Sequence, residues 1–315
     1  MPTIPLPDFL SAADYEHGSV APSAIDPATD LNPDYEHQIF LPATPSRTEL
    51  FVYLTGTDGQ PGLNLHLLDI AARAGYRTVG LAYPTDENTG DVCPGSADYE
   101  VCTDSFNREK LYGEDYVDGL AVDEPNSVVG RLHRLLVALD AAAPEAGFGN
   151  YLEGETVRWE QVVVAGWSQG STMAASLGKD VALAGSVHLA AGCNPVESDG
   201  ELLAAAWCFE SRATPLDRMF TLIHTLDDWA FDNEVSWEVY NLDAYGEAAD
   251  AGTLSPDYCT GTHLLTTSLA DQDGGAEYHK SLATDPTIPL DADGVPVLAE
   301  DYVYLFTLGH AASLP

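Results

Sequence analysis

Residues 159–180 read WEQVVVAGWSQGSTMAASLGKD, and within them Gly166-Trp167-Ser168-Gln169-Gly170 form a G-x-S-x-G. Four apolar residues, Val162 to Ala165, lead into the motif, and a run of small residues, STMAASLG, leaves it. That pattern predicts a strand, a tight turn and a helix in succession. A serine at such a turn takes a strained backbone angle that lifts its hydroxyl above the sheet edge. Strand and helix then pass so closely that the flanking positions have no room for side chains, which accounts for Gly166 and Gly170. Ala174 and Ala175 fit the same crowding. Alone, the five-residue pattern is a weak signal. Its setting makes Ser168 a candidate nucleophile rather than a residue of a structural turn. The same turn directs the Gln169 backbone N–H toward a developing oxyanion.

Outward from this point the chain alternates. Strands are predicted at Tyr35–Leu41, Glu49–Leu54, Tyr76–Tyr83, Leu183–Ala190, Met219–Thr225 and His263–Leu269. Helices are predicted from the apolar spacing of NLHLLDIAARAG, ending near Gly75, and across Asn126–Ala143. Alternation of this kind implies an α/β protein with a mostly parallel sheet covered on both faces. Residues 1–34 read as an extended N-terminal arm and residues 35–315 as one catalytic domain. Residues 84–124, rich in turn formers, read as a long loop insertion, a lid or another functional segment.

Charge excludes some partners. Fifty acidic residues against twelve basic ones give −38, a field that repels nucleic acids and anionic membranes. An acidic surface poor in lysine also suits high salt, where self-repulsion is screened. No apolar segment approaches the ~18 residues of a membrane span, and MPTIPLPDFL has neither the basic nor the apolar region of a secretory leader. Five cysteines occur without a C-x-x-C pair, which argues against a zinc or thioredoxin-type site. Cys93 and Cys102 bracket a short loop suited to a disulfide. Cys193, Cys208 and Cys259 leave one further bridge and a spare thiol, in an unassigned pairing. A disulfide places the protein in an oxidising compartment, secreted, periplasmic or at the cell surface, with the cytoplasm as the alternative.

The GWSQG turn resembles the nucleophile elbows of the α/β-hydrolase superfamily, most of all those of lipases, cutinases and polyester-degrading esterases, and the likeness extends over about residues 35–310. It implies an α/β-hydrolase fold and a triad in the chain order Ser, acid, His. The acid is then expected where MFTLIHT ends, at Asp227 or Asp228, with Asp227 preferred. The base is expected after the last strand, at His279. His310 takes the role if DYVYLFTLG is the last strand, and His263 is a third option; His224, inside an apolar strand, reads as a core histidine. A second oxyanion donor is implied in the loop after an early strand, where Thr55-Gly56-Thr57-Asp58-Gly59 stands. Thr57 is the expected donor, beside Gln169, with Asp58 as the alternative. The HGGG run of many lipases and esterases is missing here.

Trp167 is expected to pack behind the serine, and Tyr83, Tyr112, Tyr116, Trp229 and Phe231 to lie in loops that could form an acyl pocket. DQDGG and DADG lack the spacing of a calcium loop and read as turns. The expectation is a serine hydrolase of carboxylic esters, small or polymeric, that works through an acyl-enzyme without cofactor or metal. The alternatives are a polyester depolymerase or lipase, a peptidase or amidase, and a catalytically silent binding protein.

Overall fold

Along Leu50–Leu54 every side chain is buried, and alternate ones belong to opposite faces of a sheet. Leu50, Val52 and Leu54 enter one core, Phe51 and Tyr53 the other. The elbow strand does the same, with Val162 and Val164 on one side and Val163, Ala165 and Trp167 on the other. A continuous apolar run is what a strand covered on both faces requires. The computed structural model describes residues 15–309 apart from 95, 97, 115, 199–200, 253–260 and 270–274.

Among the described residues the main sheet has nine strands: β1 Tyr15–Val20, β2 His37–Pro42, β3 Leu50–Leu54, β4 Arg77–Leu81, β5 Val162–Trp167, β6 Gly185–Leu189, β7 Met219–His224, β8 Ala249–Asp250 and β9 Leu264–Thr267. Their spatial order is β1-β2-β4-β3-β5-β6-β7-β9-β8. β2 runs antiparallel to both β1 and β4. From β4 to β8 all pairings are parallel.

Helices α1 (Leu65–Arg73), α2 (Tyr99–Tyr112), α3 (Val128–Ala142), α4 (Gln169–Asp180), α5 (Ala230–Val239), α6 (Gly275–Ser281) and α7 (Ala299–Phe306) surround the sheet. α1 and α7 fill the Phe51 face, and α2, α3 and α4 the Leu50 face. α3 presents Leu132, Leu135, Leu136 and Leu139, one stripe at helical spacing. Ser127 Oγ caps it by accepting from the Gly130 N–H at 3.0 Å. A mostly parallel sheet with helices on both faces is the expected architecture, and the chain has the α/β-hydrolase fold. No described helix is long and apolar enough to cross a membrane.

Two expectations are corrected and one alternative is removed. Tyr15–Val20, read as part of an extended arm, is the edge strand β1, in register with His37–Pro42. Residues 84–124 are not simply loop, because α2 runs through them. Asp98 Oδ1 accepts from Val101 N–H at its start, and Gly113 ends it at φ +75°. DYVYLFTLG is not a strand. Its first six residues lie in α7, where Tyr302, Val303, Leu305 and Phe306 are buried. His310 lies outside the described residues.

Candidate active site

The site is assembled from the C-terminal ends of the parallel strands, starting at the elbow. Ser168 has φ +54° and ψ −123°, a region that non-glycine residues occupy only under constraint. The constraint is the crossing of β5 and α4. A side chain on Gly170 would come within 2.0 Å of the Leu54 carbonyl oxygen, and one on Gly166 within 2.2 Å of Gly170 itself. Ser171, fully buried, donates from Oγ to the Leu189 carbonyl at 2.8 Å and receives the Leu189 N–H at 2.9 Å. The turn is thereby fastened to β6, and the Ser168 N–H adds a bond to the same carbonyl.

Asp227 follows the end of β7. Its neighbour in the pair, Asp228, is exposed, whereas Asp227 is 6% exposed. Asp227 Oδ1 accepts the Trp229 N–H at 2.9 Å, and Oδ2 accepts Nδ1–H of His279 at 2.7 Å. Both carboxylate oxygens are thus directed, and Nε2 is the His279 nitrogen left for chemistry. The structure joins His279 to Asp227 rather than to Asp228. His279 stands on the short helix α6 rather than in a loop. Trp167 Nε1–H donates to its carbonyl at 2.9 Å, and the Trp229 ring meets the imidazole edge-on at 4.9 Å between centroids.

The other histidines have different surroundings. His263 is stacked between Phe220 at 4.0 Å and Tyr245 at 4.4 Å. His224 lies on the expected core strand, where its Nδ1 accepts the Leu226 N–H and its Nε2–H donates to the Leu269 carbonyl. Burial lowers its pKa below the ordinary histidine value. Its ring stacks on Tyr278, next to His279 in the chain, at 4.5 Å.

Ser168, His279, Thr57, Gln169, Trp167 and Trp229 line one cleft of about 480 Å³. Thr57 is carried there by the turn after β3. That turn lies against the Trp167 indole, where a Cβ on Gly56 would approach to 2.7 Å. The Asp58 N–H is taken by the Thr85 carbonyl at 3.0 Å, which removes Asp58 as an oxyanion donor, and its side chain is exposed. Gln169 opens α4, and its side-chain Nε2 donates to Thr57 Oγ1 at 3.3 Å and to the Glu87 carbonyl at 2.7 Å. One side chain therefore ties the elbow to the neighbouring turn and to the insertion.

The insertion forms one wall, through Asn88, Thr89, Gly90, Tyr99, Phe106 and Asn107. A disulfide between Cys93 and Cys102, with Cα atoms 5.7 Å apart, staples the one-turn helix Thr89–Val92 to α2. The fully buried Lys110 donates from Nζ to the Pro84 and Glu87 carbonyls, both at 3.0 Å. Burial pulls its pKa below the ordinary lysine value against the opposing charge of Glu87. Lys179 Nζ meets Asp104 Oδ1 at 2.9 Å and so links α4 to α2. Cys193, in the cleft, is disulfide-bonded to Cys208; Cys259 lies outside the described residues.

Of the aromatic residues expected at the pocket, Trp229 lines it. Tyr83 is fully buried, with its hydroxyl on the Thr55 carbonyl, and Tyr112 bonds Asp180. Tyr116 bonds Glu114 and does not line the cleft, and Phe231 falls in α5. Tyr99, Phe106 and the amides of Asn88, Asn107 and Asn194 line the cleft instead. Their place in sequence carries no hint of this, because it depends on how α2 docks. In DADG, Asp291 Oδ1 accepts from Asp293 N–H and Val295 N–H, which makes it the expected turn. Among the described residues no group of three or more His, Cys, Asp or Glu side chains could hold a metal ion.

No family model and no curated protein matches the chain. Among solved structures it is similar to an esterase from the bacterial hormone-sensitive lipase family, at 14% identity and TM-score 0.45, covering 97% of this chain and 86% of that one. A thermostable esterase from Pseudomonas putida ECU1011 gives 14% identity and TM-score 0.44, with 97% and 85% covered. The Thermus thermophilus protein TT1662 gives 13% and 0.44, with 95% and 99% covered. Likenesses this distant assign no activity.

Proposed function

We propose that the protein is a serine hydrolase of carboxylic esters, with Ser168 as nucleophile, His279 as general base and Asp227 as the orienting carboxylate. The observation that carries this reading is the 2.7 Å bond between His279 Nδ1 and Asp227 Oδ2, on a cleft that also contains the strained Ser168. Ser168 Oγ attacks the ester carbonyl as His279 Nε2 takes its proton. Asp227 fixes the tautomer and stabilises the imidazolium. The backbone N–H groups of Gln169 and Thr57 meet the tetrahedral oxyanion, aided by the positive end of α4. The imidazolium then protonates the departing alcohol, and water, activated by the same nitrogen, releases the acid.

Electrostatics favours the same chemistry. Although fifty residues of the chain are acidic, none of the described residues lining the cleft is Asp or Glu. A developing oxyanion there faces no carboxylate of a described lining residue. An alkoxide leaves with less help than an amine, so esters rather than amides are the expected substrates. The two disulfides support an oxidising compartment as the working place of the enzyme.

Hydrolysis of p-nitrophenyl esters from acetate to palmitate by the wild type and Ser168→Ala tests this. Turnover that disappears in the variant supports the reading, and the preferred chain length measures the acyl pocket. Equal rates for both proteins, or none, would remove it.

A further inference from the structure

Lys110 is one of three lysines in a chain with fifty acidic residues, and it is 0% exposed. A buried ammonium loses its hydration, so its three protons need partners inside the protein. All of its polar contacts fall on one short segment after β4. Nζ donates to the Pro84 and Glu87 carbonyls at 3.0 Å each and meets Glu87 Oε2 at 3.2 Å. The side chain comes from α2 and passes the Phe106 ring, whose centroid lies 5.1 Å from Nζ. So placed, the lysine holds residues 84–87 and does not line the cleft.

That segment touches the carriers of both proposed oxyanion donors. On one side, the Glu87 carbonyl held by Lys110 also accepts from Gln169 Nε2 at 2.7 Å. A carbonyl oxygen can only accept, so the orientation of the Gln169 amide is fixed. On the other side, Gln169 Nε2 reaches Thr57 Oγ1 at 3.3 Å. Thr85 Oγ1 donates to the Gly59 carbonyl at 2.9 Å, and the Thr85 carbonyl takes the Asp58 N–H at 3.0 Å. Thr57 thus stands beside two residues that Thr85 fixes.

We propose that Lys110 is a positioning residue for the oxyanion hole. It holds the Glu87 carbonyl and, through Gln169 and Thr85, the backbone N–H groups of Gln169 and Thr57. This rests on the ester-hydrolase reading and adds to it a residue that never meets the substrate. A displaced donor fails the oxyanion, whereas the ground-state ester carbonyl, which carries little charge, is bound as before. The loss on removing Lys110 therefore falls on kcat rather than on KM.

The test measures kcat and KM on p-nitrophenyl butyrate, with rates divided by active sites titrated with a fluorophosphonate, and the inhibition constant of butylboronic acid. Boron bonds to Ser168 Oγ as the hydroxyl proton passes to His279 Nε2, which leaves a tetrahedral boronate anion with an oxygen where the oxyanion forms. Lys110→Met keeps the length of the side chain and removes its donors. We expect kcat to fall about tenfold or more with KM within about twofold, and the boronate to bind more weakly by the same factor as kcat. Lys110→Gln, which keeps a donor amide, should lose less. In a double-mutant cycle Lys110→Met should add little to Gln169→Leu, because the two residues act in series.

A wild-type kcat per site in Lys110→Met, a rise in KM alone, or losses that multiply in the cycle would overturn the inference while the esterase reading stands. If Lys110→Met does not fold, Lys110→Gln takes its place in the cycle, and Gln169→Leu with wild-type kcat overturns the inference by itself. A wild type that neither turns over an ester nor takes up the phosphonate fails the esterase reading, and the inference falls with it.

Discussion

The indole Nε1–H of Trp167 donates to the carbonyl oxygen of His279 at 2.9 Å, across 112 positions of sequence. The residue that precedes the candidate nucleophile thus holds the backbone of the candidate base. The ring also lies 5.2 Å from the imidazole and under the Gly56 turn. Trp167→Phe keeps most of the packing and removes this bond, worth about 1 kcal/mol. We expect kcat to fall several-fold with KM and the melting temperature little changed. A variant with wild-type kcat would show that the bond does not position His279.

Asp227 and Asp228 are adjacent carboxylates with opposite surroundings. Asp227→Asn can no longer hold the Nδ1–H tautomer, and a loss of about 10⁴ in kcat is expected, as for other triads stripped of their carboxylate. Asp228→Asn, in an exposed side chain, should leave kcat within about two-fold of wild type. Equal losses in the two variants would contradict the assignment of Asp227.

Acid stability should depend on buried histidines other than His279. His188, 2% exposed, lies 2.9 Å from Ser186 Oγ and 3.2 Å from the Ser171 carbonyl. Burial first, and the charge of Arg212 second, push its pKa from the ordinary 6.5 down to about 3. His37, whose Nδ1 accepts the Ala82 N–H at 3.0 Å, is lowered to about 3 by burial and then by Arg131. Between these values the unfolded chain binds a proton that the folded one refuses. Stability is therefore lost as pH falls from about 6.5 toward 3, by up to about 1.4 kcal/mol per pH unit for each group. Thermal unfolding of His188→Gln should show a shallower fall between pH 6.5 and 4 than the wild type. Parallel curves would contradict this.

The charge of −38 predicts a response to salt. Of the few cations, Lys110, Lys179 and Arg134 are already engaged with Glu87, with Asp104 and Glu210, and with Asp26 and Glu124. Most carboxylates therefore face one another through solvent. At molar salt the screening length drops to about 3 Å, and the melting temperature should rise from dilute buffer to molar KCl. A flat or falling curve would sink the idea of salt adaptation.

What the sequence disclosed was local. The elbow was legible because close crossing dictates Gly166 and Gly170, and the central strands because both their faces are apolar. The edges were not. β1 mixes polar and apolar residues, as an edge strand with one neighbour can, and β8 has only two residues. The start of α2 was signalled by Asp98 and its end by Gly113, yet the turn formers before it, and the reading of Cys93 and Cys102 as the two ends of a short loop, masked the helix. A short apolar run such as DYVYLF does not reveal its period, so α7 could not be told from a strand. The choice between Asp227 and Asp228 needed the turn geometry after β7, and the amides of Asn107 and Asn194 reach the cleft only through the docking of α2.

The central claim is that Ser168 is an activated nucleophile. Intact-protein mass spectrometry after exposure to a fluorophosphonate tests it most directly. The account predicts a single phosphonyl adduct on the wild type, mapped to the peptide containing Ser168 and missing from Ser168→Ala. A wild-type protein that stays unmodified, or a Ser168→Ala protein labelled as readily, would contradict it.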